Sequence, residues 1–499
     1  MLKRFLGDRS GNYAMLLGIT TLPLLLAIGF GVDTVRYVSA KQHLQELADG
    51  ASLAVAASPE RDDTKLRTLA GKMVVGNTAN NRVENVTVAS LDIKDDKVDL
   101  GLEGDIQTYF MGLANIHTLD VHASALAVRA VTGSVEVALV LDNTWSMSEK
   151  DSSGKTKIDA LKDAATSLTD KLIGDDGAEN VRVGLVPYAD YVNVGTQYRG
   201  ASWLSVPADT VGPTPPPQTC EMKEVTSTPC TGNAPSKTCT RYVDGVPENY
   251  ECGKQCVSWG TPVTKVQKVC TGGGTATVKK WWGCVGSRKT GDTRLNDGSP
   301  SVPYPGYIET KQTCLNPIMP LTNNVTSLDQ AIDGMIINIG SYKPYTYIPA
   351  GLIWGLNILS PLEPFNQAAA YDPANKNPRK AVVLMTDGEN FMNFRKSDGR
   401  HIAVDYPDGF DPKNKTQADA RAVQMQGTND DTLAICNYIK AQNIEIYTVA
   451  FMVDMDFSKK LLQACATDAE HYFDASDSAK LLSSFESIAQ SLTQVRLAR

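Results

Sequence analysis

The chain is 499 residues long, with 42% hydrophobic and 21% charged residues and a formal net charge of -8. That length exceeds one ordinary compact domain, and the composition excludes a disordered chain or a multi-span membrane protein. The acidic balance, with no dense Lys/Arg run, argues against a nucleic-acid partner, whose phosphates call for a clustered basic surface.

In chain order, Lys3, Arg4 and Arg9 precede an apolar run from about Ala14 to Val32, roughly 19 residues and so long enough to cross a bilayer. The positive-inside bias keeps the basic end in the cytoplasm and sends the rest across. The run is longer than the core of a cleaved signal peptide, and no small-x-small site follows, so an uncleaved transmembrane helix is expected. Pro23 is expected to kink it. From Asp33 to Ala57, Val35, Val38, Leu44, Leu47, Ala51 and Ala54 recur at helical spacing, which extends the helix as a stalk and defines a first segment, 1–58. In the next segment, 59–132, "NVTVASLDIKDDKVDLGLEG" alternates apolar and polar residues around Asp95-Asp96. That pattern signals a hairpin in a small strand-rich module.

Beyond Ser134, strands and helices alternate. "VEVALVLD" (135–142) reads as a buried strand, "KIDALKDAATSLTDKL" (157–172) as an amphipathic helix and "NVRVGLVPYA" (180–189) as a second strand. The alternation stops from roughly Gly195 to Pro320, a stretch rich in Thr, Pro, Gly and Cys that holds "PTPPP" and four of the six tryptophans. Short of long apolar runs, it needs its cysteines as staples and reads as an inserted lobe. Helices are then expected over 327–339 and 349–359, a strand over 380–387, a helix over 430–443, a strand over 444–453 and a last helix over 478–495. Continuous Val/Ile/Leu runs mark strands buried on both faces. The expected fold is α/β: a doubly wound, mostly parallel sheet in 133–499, interrupted by the Cys-rich lobe 195–320.

Eight of the ten cysteines, Cys220, Cys230, Cys239, Cys252, Cys256, Cys270, Cys284 and Cys314, fall in that lobe. An even count beyond the membrane reads as disulfides. Zinc is disfavoured, because the segment has no Cys-x-x-Cys pair and no histidine. The pairing within the lobe stays open. Cys436 and Cys465, on helices flanking the strand 444–453, are expected to bond to each other.

In an open parallel sheet the crevice lies at the carboxyl ends of the strands. Three groups fall there: Asp142-Asn143-Thr144-Trp145-Ser146, Thr346 in "YTYIPAGL", and Asp387 in "LMTDGEN". Asp142, Asp387, Thr144, Ser146 and Thr346 form an all-oxygen set that suits a hard divalent cation, Mg²⁺ first, with Mn²⁺ or Ca²⁺ as alternatives. The plainer reading has Asp142 capping its loop and Asp387 making an Asp-Gly turn. Three motifs at element edges favour the metal. "SSGKTK" (152–157) mimics a phosphate loop, but its first glycine is replaced by Glu149, so no nucleotide is expected. The five histidines are scattered and offer no nucleophile and base pair.

These residues resemble a known family. Asp142, Thr144 and Ser146 are similar to the Asp-x-Ser-x-Ser loop of von Willebrand factor A (VWA) domains, with Thr346 and Asp387 at the places of its later threonine and aspartate. The resemblance implies a metal-ion-dependent adhesion site, where these groups hold an ion directly or through water and one coordination position is left for a partner's Asp or Glu. Thr144 replaces a serine and keeps the oxygen on a stiffer side chain. Trp145 stands where that family often has glycine; it either anchors a partner or packs against the lobe.

A second resemblance covers the N-terminus. "RSGNYAMLLGITTLPLLLAIGFGVDTVRYVSAKQHLQELADGASLAVAAS" is similar to the opening of TadG-like Tad (tight adherence) pilus-assembly proteins, on Gly11, Asn12, Asp33, Leu44, Gln45, Ala48, Asp49 and Ala51. The segment "LLQACATDAEHYFDASDSAKLLSSFESIAQSL" is similar to that family's ending. Processed pilin-like relatives carry a glutamate where this chain has Leu16, so prepilin-type processing is not expected. Together the resemblances imply a single-pass bacterial inner-membrane protein with its bulk in the periplasm. It would not be an enzyme, and would serve Tad/Flp pilus assembly or adhesion by binding a protein partner's carboxylate through the ion. Minor pilins or Tad secretion components are the implied partners. The rival readings are a metal-dependent hydrolase and a structural envelope scaffold with an empty metal site.

Overall fold

A computed structural model describes residues 12–58, 63–77, 83–94, 97–128, 134–174, 180–253, 255–289, 292–298, 302–407, 409–411 and 413–493. Lys3, Arg4, Arg9, Gly11 and the Asp95-Asp96 turn lie outside the described residues. The chain forms two compact units, Met1–Thr132 with Thr493–Arg499, and Gly133–Leu492.

In the first unit a single helix, α1 (Asn12–Ala57), runs through Pro23 and is followed by α2 (Asp63–Asn77) and an antiparallel meander of β1 (Glu84–Lys94), β2 (Lys97–Gln107) and β3 (Thr118–Val128). The stretch Met15–Ala57 is long and apolar enough to cross a membrane. Met15, Leu16, Leu17, Ile19, Leu24, Leu25 and Ile28 are exposed. Further along, Leu44, Ala48, Ala51 and Val55 turn inward against Leu66, Ala70 and Val74 of α2 and against Leu100, Leu102 and Val121 of the meander. Asp33 is buried at the change of character. Its carboxylate accepts from the backbone N–H groups of Tyr109 (3.0 Å), Phe110 (2.8 Å) and Met111 (2.8 Å), which satisfies the free donors of the 3-10 turn Met111–Ala114.

The second unit is built on a six-stranded sheet. Its strands are β4 (Val135–Asp142), β5 (Val181–Tyr188), β6 (Met319–Thr322), β7 (Arg379–Thr386), β8 (Glu445–Phe451) and β9 (Tyr472–Ala475), in the order β6-β5-β4-β7-β8-β9. Only the edge strand β6 runs antiparallel to its neighbour. Every residue of β4 is buried, as its unbroken apolar run requires at the middle of a two-sided sheet. Val137, Leu139 and Leu141 face a core with α3 (Lys157–Ile173), α4 (Val325–Asp333) and the last helix, Ser478–Thr493. Ala138 and Val140 face the opposite core with α5 (Ile348–Leu359), α6 (Gln426–Ala441) and α7 (Asp456–Cys465).

Helix α5 is buried over its whole length and carries Gly351 and Gly355 on the side that meets β4. A Cβ at Gly351 would lie 2.6 Å from the Tyr188 ring and 2.8 Å from Val140, and one at Gly355 would lie 2.5 Å from Val140. Helix α4 stops at Asp333, short of the expected 339. The Asn316 side chain accepts from Ile336 N (2.8 Å) and donates to Gly334 O (2.7 Å), drawing the chain out of the helix.

Between β5 and β6 the lobe is mainly one long ribbon. Thr219–Ser227 pairs with Val263–Thr271, Cys230–Asn233 with Cys256–Trp259, and Lys237–Val243 with Val246–Cys252, all antiparallel. Disulfides Cys220–Cys270, Cys230–Cys256 and Cys239–Cys252 cross it as rungs, and Cys284–Cys314 fastens its base region. Cys436 and Cys465 are bonded, joining α6 to α7.

Candidate metal centre

Asp142 is the last residue of β4, the strand between β5 and β7, so its side chain emerges at the carboxyl edge of the sheet. Its Oδ1 accepts from Thr144 N (3.0 Å) and Thr144 Oγ1 (2.7 Å), and its Oδ2 from Thr386 Oγ1 (2.7 Å). The short acceptor side chain folds the loop back on itself, as aspartate does in Asx-type turns. The Thr144 hydroxyl also lies 3.0 Å from Ser146 Oγ and 3.1 Å from Thr346 Oγ1. Ser146 Oγ donates to Asp387 Oδ1 (2.8 Å). Thr346 arrives on the loop before α5 and Asp387 just past β7. All five sequence-derived candidates thus meet in one hydrogen-bonded group, and all are buried.

Trp145 is half-buried in the short 3-10 turn Trp145–Ser148, and its backbone is not left-handed. The Lys343 ammonium sits 3.9 Å above its ring, and Lys343 also pairs with Glu248 of the ribbon. His401 is not part of the site; it stacks on Tyr191 and is buried.

Three further groups complete the centre. Lys157 Nζ, at the start of α3, donates to Asp387 Oδ2 (2.9 Å) and Glu149 (2.8 Å). Thr386 holds the second Asp142 oxygen. Asp244, from the ribbon, is fully buried and accepts from Ser146 N (3.0 Å), Thr346 N (2.8 Å) and Thr346 Oγ1 (3.0 Å). "VDGV" (243–246) is a two-residue hairpin signal, but nothing local in the sequence directs Asp244 to the sheet edge.

The electrostatics are lopsided. Asp142, Asp244 and Asp387 bury three carboxylates beside one buried ammonium, Lys157. Burial, with Asp387 and Asp244 alongside, pushes Asp142 up to about 8. Burial also raises Asp244, to about 6, with Asp387 adding to it. Burial by itself would lower Lys157, but Asp387 and Glu149 outweigh it and hold the ammonium protonated. Among the described residues no trio of His, Cys, Asp or Glu side chains is arranged to hold a metal by itself. An ion here would rely on the hydroxyls and on water. A cavity of 160 Å³ lined by Ser146, Lys157, Asp244, Asp387 and Glu389 adjoins them and is roomy enough to hold water. The donor set, hydroxyls with surplus carboxylate, fits a hard dication.

Among solved structures, the vWF domain of the type V pili tip protein Mfa5 from Porphyromonas gingivalis is 13% identical, covering 73% of this chain and 98% of that one, with a TM-score of 0.34. The pilus adhesin SpaC from Lactobacillus rhamnosus GG is 10% identical at a TM-score of 0.34, with 83% of this chain matched to 35% of that chain, so this chain spans about a third of it. Proximal thread matrix protein 1 from the mussel byssus, solved with a zinc-occupied MIDAS motif, is 11% identical at a TM-score of 0.30, covering 72% of this chain and 47% of that one. Likenesses this distant leave the fold to be argued from the sheet itself. No curated protein matches the chain. Residues 11–58 match the Tad family, described as Flp pilus-assembly TadE/G-like. Over residues 11–58, the N-terminal helix of this chain is thus similar to the Flp pilus-assembly TadE/G-like family.

Proposed function

We propose that this is a membrane-anchored, envelope-facing VWA protein of a Tad/Flp pilus system. In this reading α1 spans the inner membrane once, the strand-rich module follows, and 133–499 is a doubly wound VWA domain interrupted by the lobe 195–320. A divalent cation, Mg²⁺ first, would be held by Asp142, Thr144, Ser146, Thr346 and Asp387, directly or through water. The ion would supply positive charge for a protein partner's carboxylate, in pilus assembly or adhesion, with no catalysis required. The observation that carries the reading is the meeting of those five oxygen-bearing side chains around more buried carboxylate than Lys157 can neutralise. The Tad match at 11–58 supports the pilus context.

Calorimetric titration of the full chain in detergent with Mg²⁺ or Mn²⁺, repeated on Asp142→Ala and Asp387→Ala, tests it. Saturable binding lost in both variants is expected; binding absent from the unaltered protein refutes the metal site. A pull-down from envelope extracts with and without chelator then reads the partner. A second reading, a scaffold whose site holds no ion, draws on the 2.9 Å approach of Lys157 to Asp387, which supplies one positive charge without metal. The same titration separates the two.

A further inference from the structure

The ribbon is largely solvent-exposed along its strands, yet its tip is not. Asp244 and Gly245, with φ of 52° and 77°, make the two-residue turn that Asp-Gly favours. Gly245 lies where a Cβ would be 3.0 Å from Phe391 and 3.5 Å from Tyr406, and Tyr242 packs edge-on against Tyr406 at 5.6 Å. Glu248 pairs with Lys343 beside the tip. An aromatic clasp and an ion pair thus seat the turn, and the Asp244 carboxylate is pressed onto Ser146 N, Thr346 N and the Thr346 hydroxyl.

Both Asp244 carboxylate oxygens are engaged, Oδ1 by Thr346 N and Oδ2 by Ser146 N, so the charge stays beside Asp142 and Asp387; an asparagine, with one acceptor oxygen, would keep only one of the two amide contacts. A third desolvated carboxylate beside two others is unfavourable unless a cation shares it. We propose, resting on the reading that this site holds a divalent ion, that Asp244 is a ligand supplied from within. The ribbon tip occupies the outward-facing position of the centre, and an external carboxylate reaches the ion only by displacing it. The partner class this selects is one whose acidic residue stands on a narrow protrusion able to enter the Phe391 and Tyr406 clasp in place of the tip.

Mn²⁺ titration of the full chain in detergent micelles, read by the water-proton relaxation of the bound ion, tests this with two variants that keep the turn. Asp244→Gly removes the carboxylate and leaves a Gly-Gly turn; Asp244→Asn keeps the turn and one of the two amide contacts and removes the charge. Both should bind Mn²⁺ about ten-fold more weakly, the loss of roughly one ligand interaction. Added acetate should restore tight binding and lower the relaxation enhancement in Asp244→Gly alone, because only there is the position vacant. The unaltered protein should ignore acetate. If Asp244→Gly binds Mn²⁺ as tightly as the unaltered protein and acetate has no effect, the tip is not a ligand and the inference falls while the metal site stands. If the unaltered protein binds no Mn²⁺, both readings fall together.

Discussion

Replacing Asp142 by asparagine should make the metal-free protein more stable. The folded chain holds this carboxyl at about 8, against 3.8 for the ordinary group. For an acid whose folded pKa is raised, no penalty exists below 3.8, where both states are protonated; it grows with pH and levels off above 8. At pH 7 the gap of about three units, at 1.36 kcal/mol each, amounts to about 4 kcal/mol against the fold. Asparagine keeps the Oδ1 acceptor for Thr144 N and Oγ1, while its amide nitrogen meets Thr386 Oγ1, which must turn from donor to acceptor. Allowing about 1 kcal/mol for that rearrangement leaves a gain of about 3 kcal/mol. In a unit of this size that raises Tm by roughly 4 °C. The assay is thermal unfolding followed by tryptophan fluorescence, on the full chain in detergent with chelator, at pH 7 and again near pH 4.5. Saturating Mg²⁺ should then raise Tm of the unaltered protein and leave Asp142→Asn unmoved. A variant no more stable than its parent at pH 7, or a gain that persists undiminished at the lower pH, would refute the charge argument.

Burial holds His401 neutral, its pKa lowered to about 4 from 6.5. Between those values the unfolded chain binds a proton that the folded chain refuses, so stability falls as pH drops through the window, by up to about 3 kcal/mol. His401→Gln should flatten the pH dependence of unfolding there by about one proton, and an unchanged slope counts against it. Gly351→Ala places a Cβ against Tyr188 and Val140, so it should cost about 1–3 kcal/mol. It should also weaken Mg²⁺ binding in calorimetry, because α5 fixes the loop that carries Thr346. Removing the Cys436–Cys465 bridge by paired serine substitution releases a loop of 29 residues and should lower stability by about 3–4 kcal/mol, read as a drop in Tm under oxidising conditions.

The sheet was legible where composition alone decides it. Strands β4, β7 and β8 are unbroken apolar runs because both faces are covered, and the acid and hydroxyls just beyond β4 and β7 fall at the edge by topology. Met335, Ile336 and Ile337 continue the helical spacing past the end of α4, whereas Asn316, from a distant loop, claims the backbone there. The disulfide rungs were closed to sequence reasoning, since pairing follows from ribbon register and not from cysteine spacing. Asp244 was hidden for a related reason. Its Asp-Gly turn is a local signal, but its destination 98 residues away at Ser146 is set by the length and curvature of the ribbon between.

From Thr219 to Thr271 the excursion has few buried side chains of its own, so its shape depends on the three sulfur crosslinks more than on any core. Delivery of Asp244 to the rim therefore presupposes oxidised thiols. The same polypeptide kept among reductants would lose those crosslinks and leave its rim uncapped, so a sealed rim becomes a chemical record that the thiols have been oxidised.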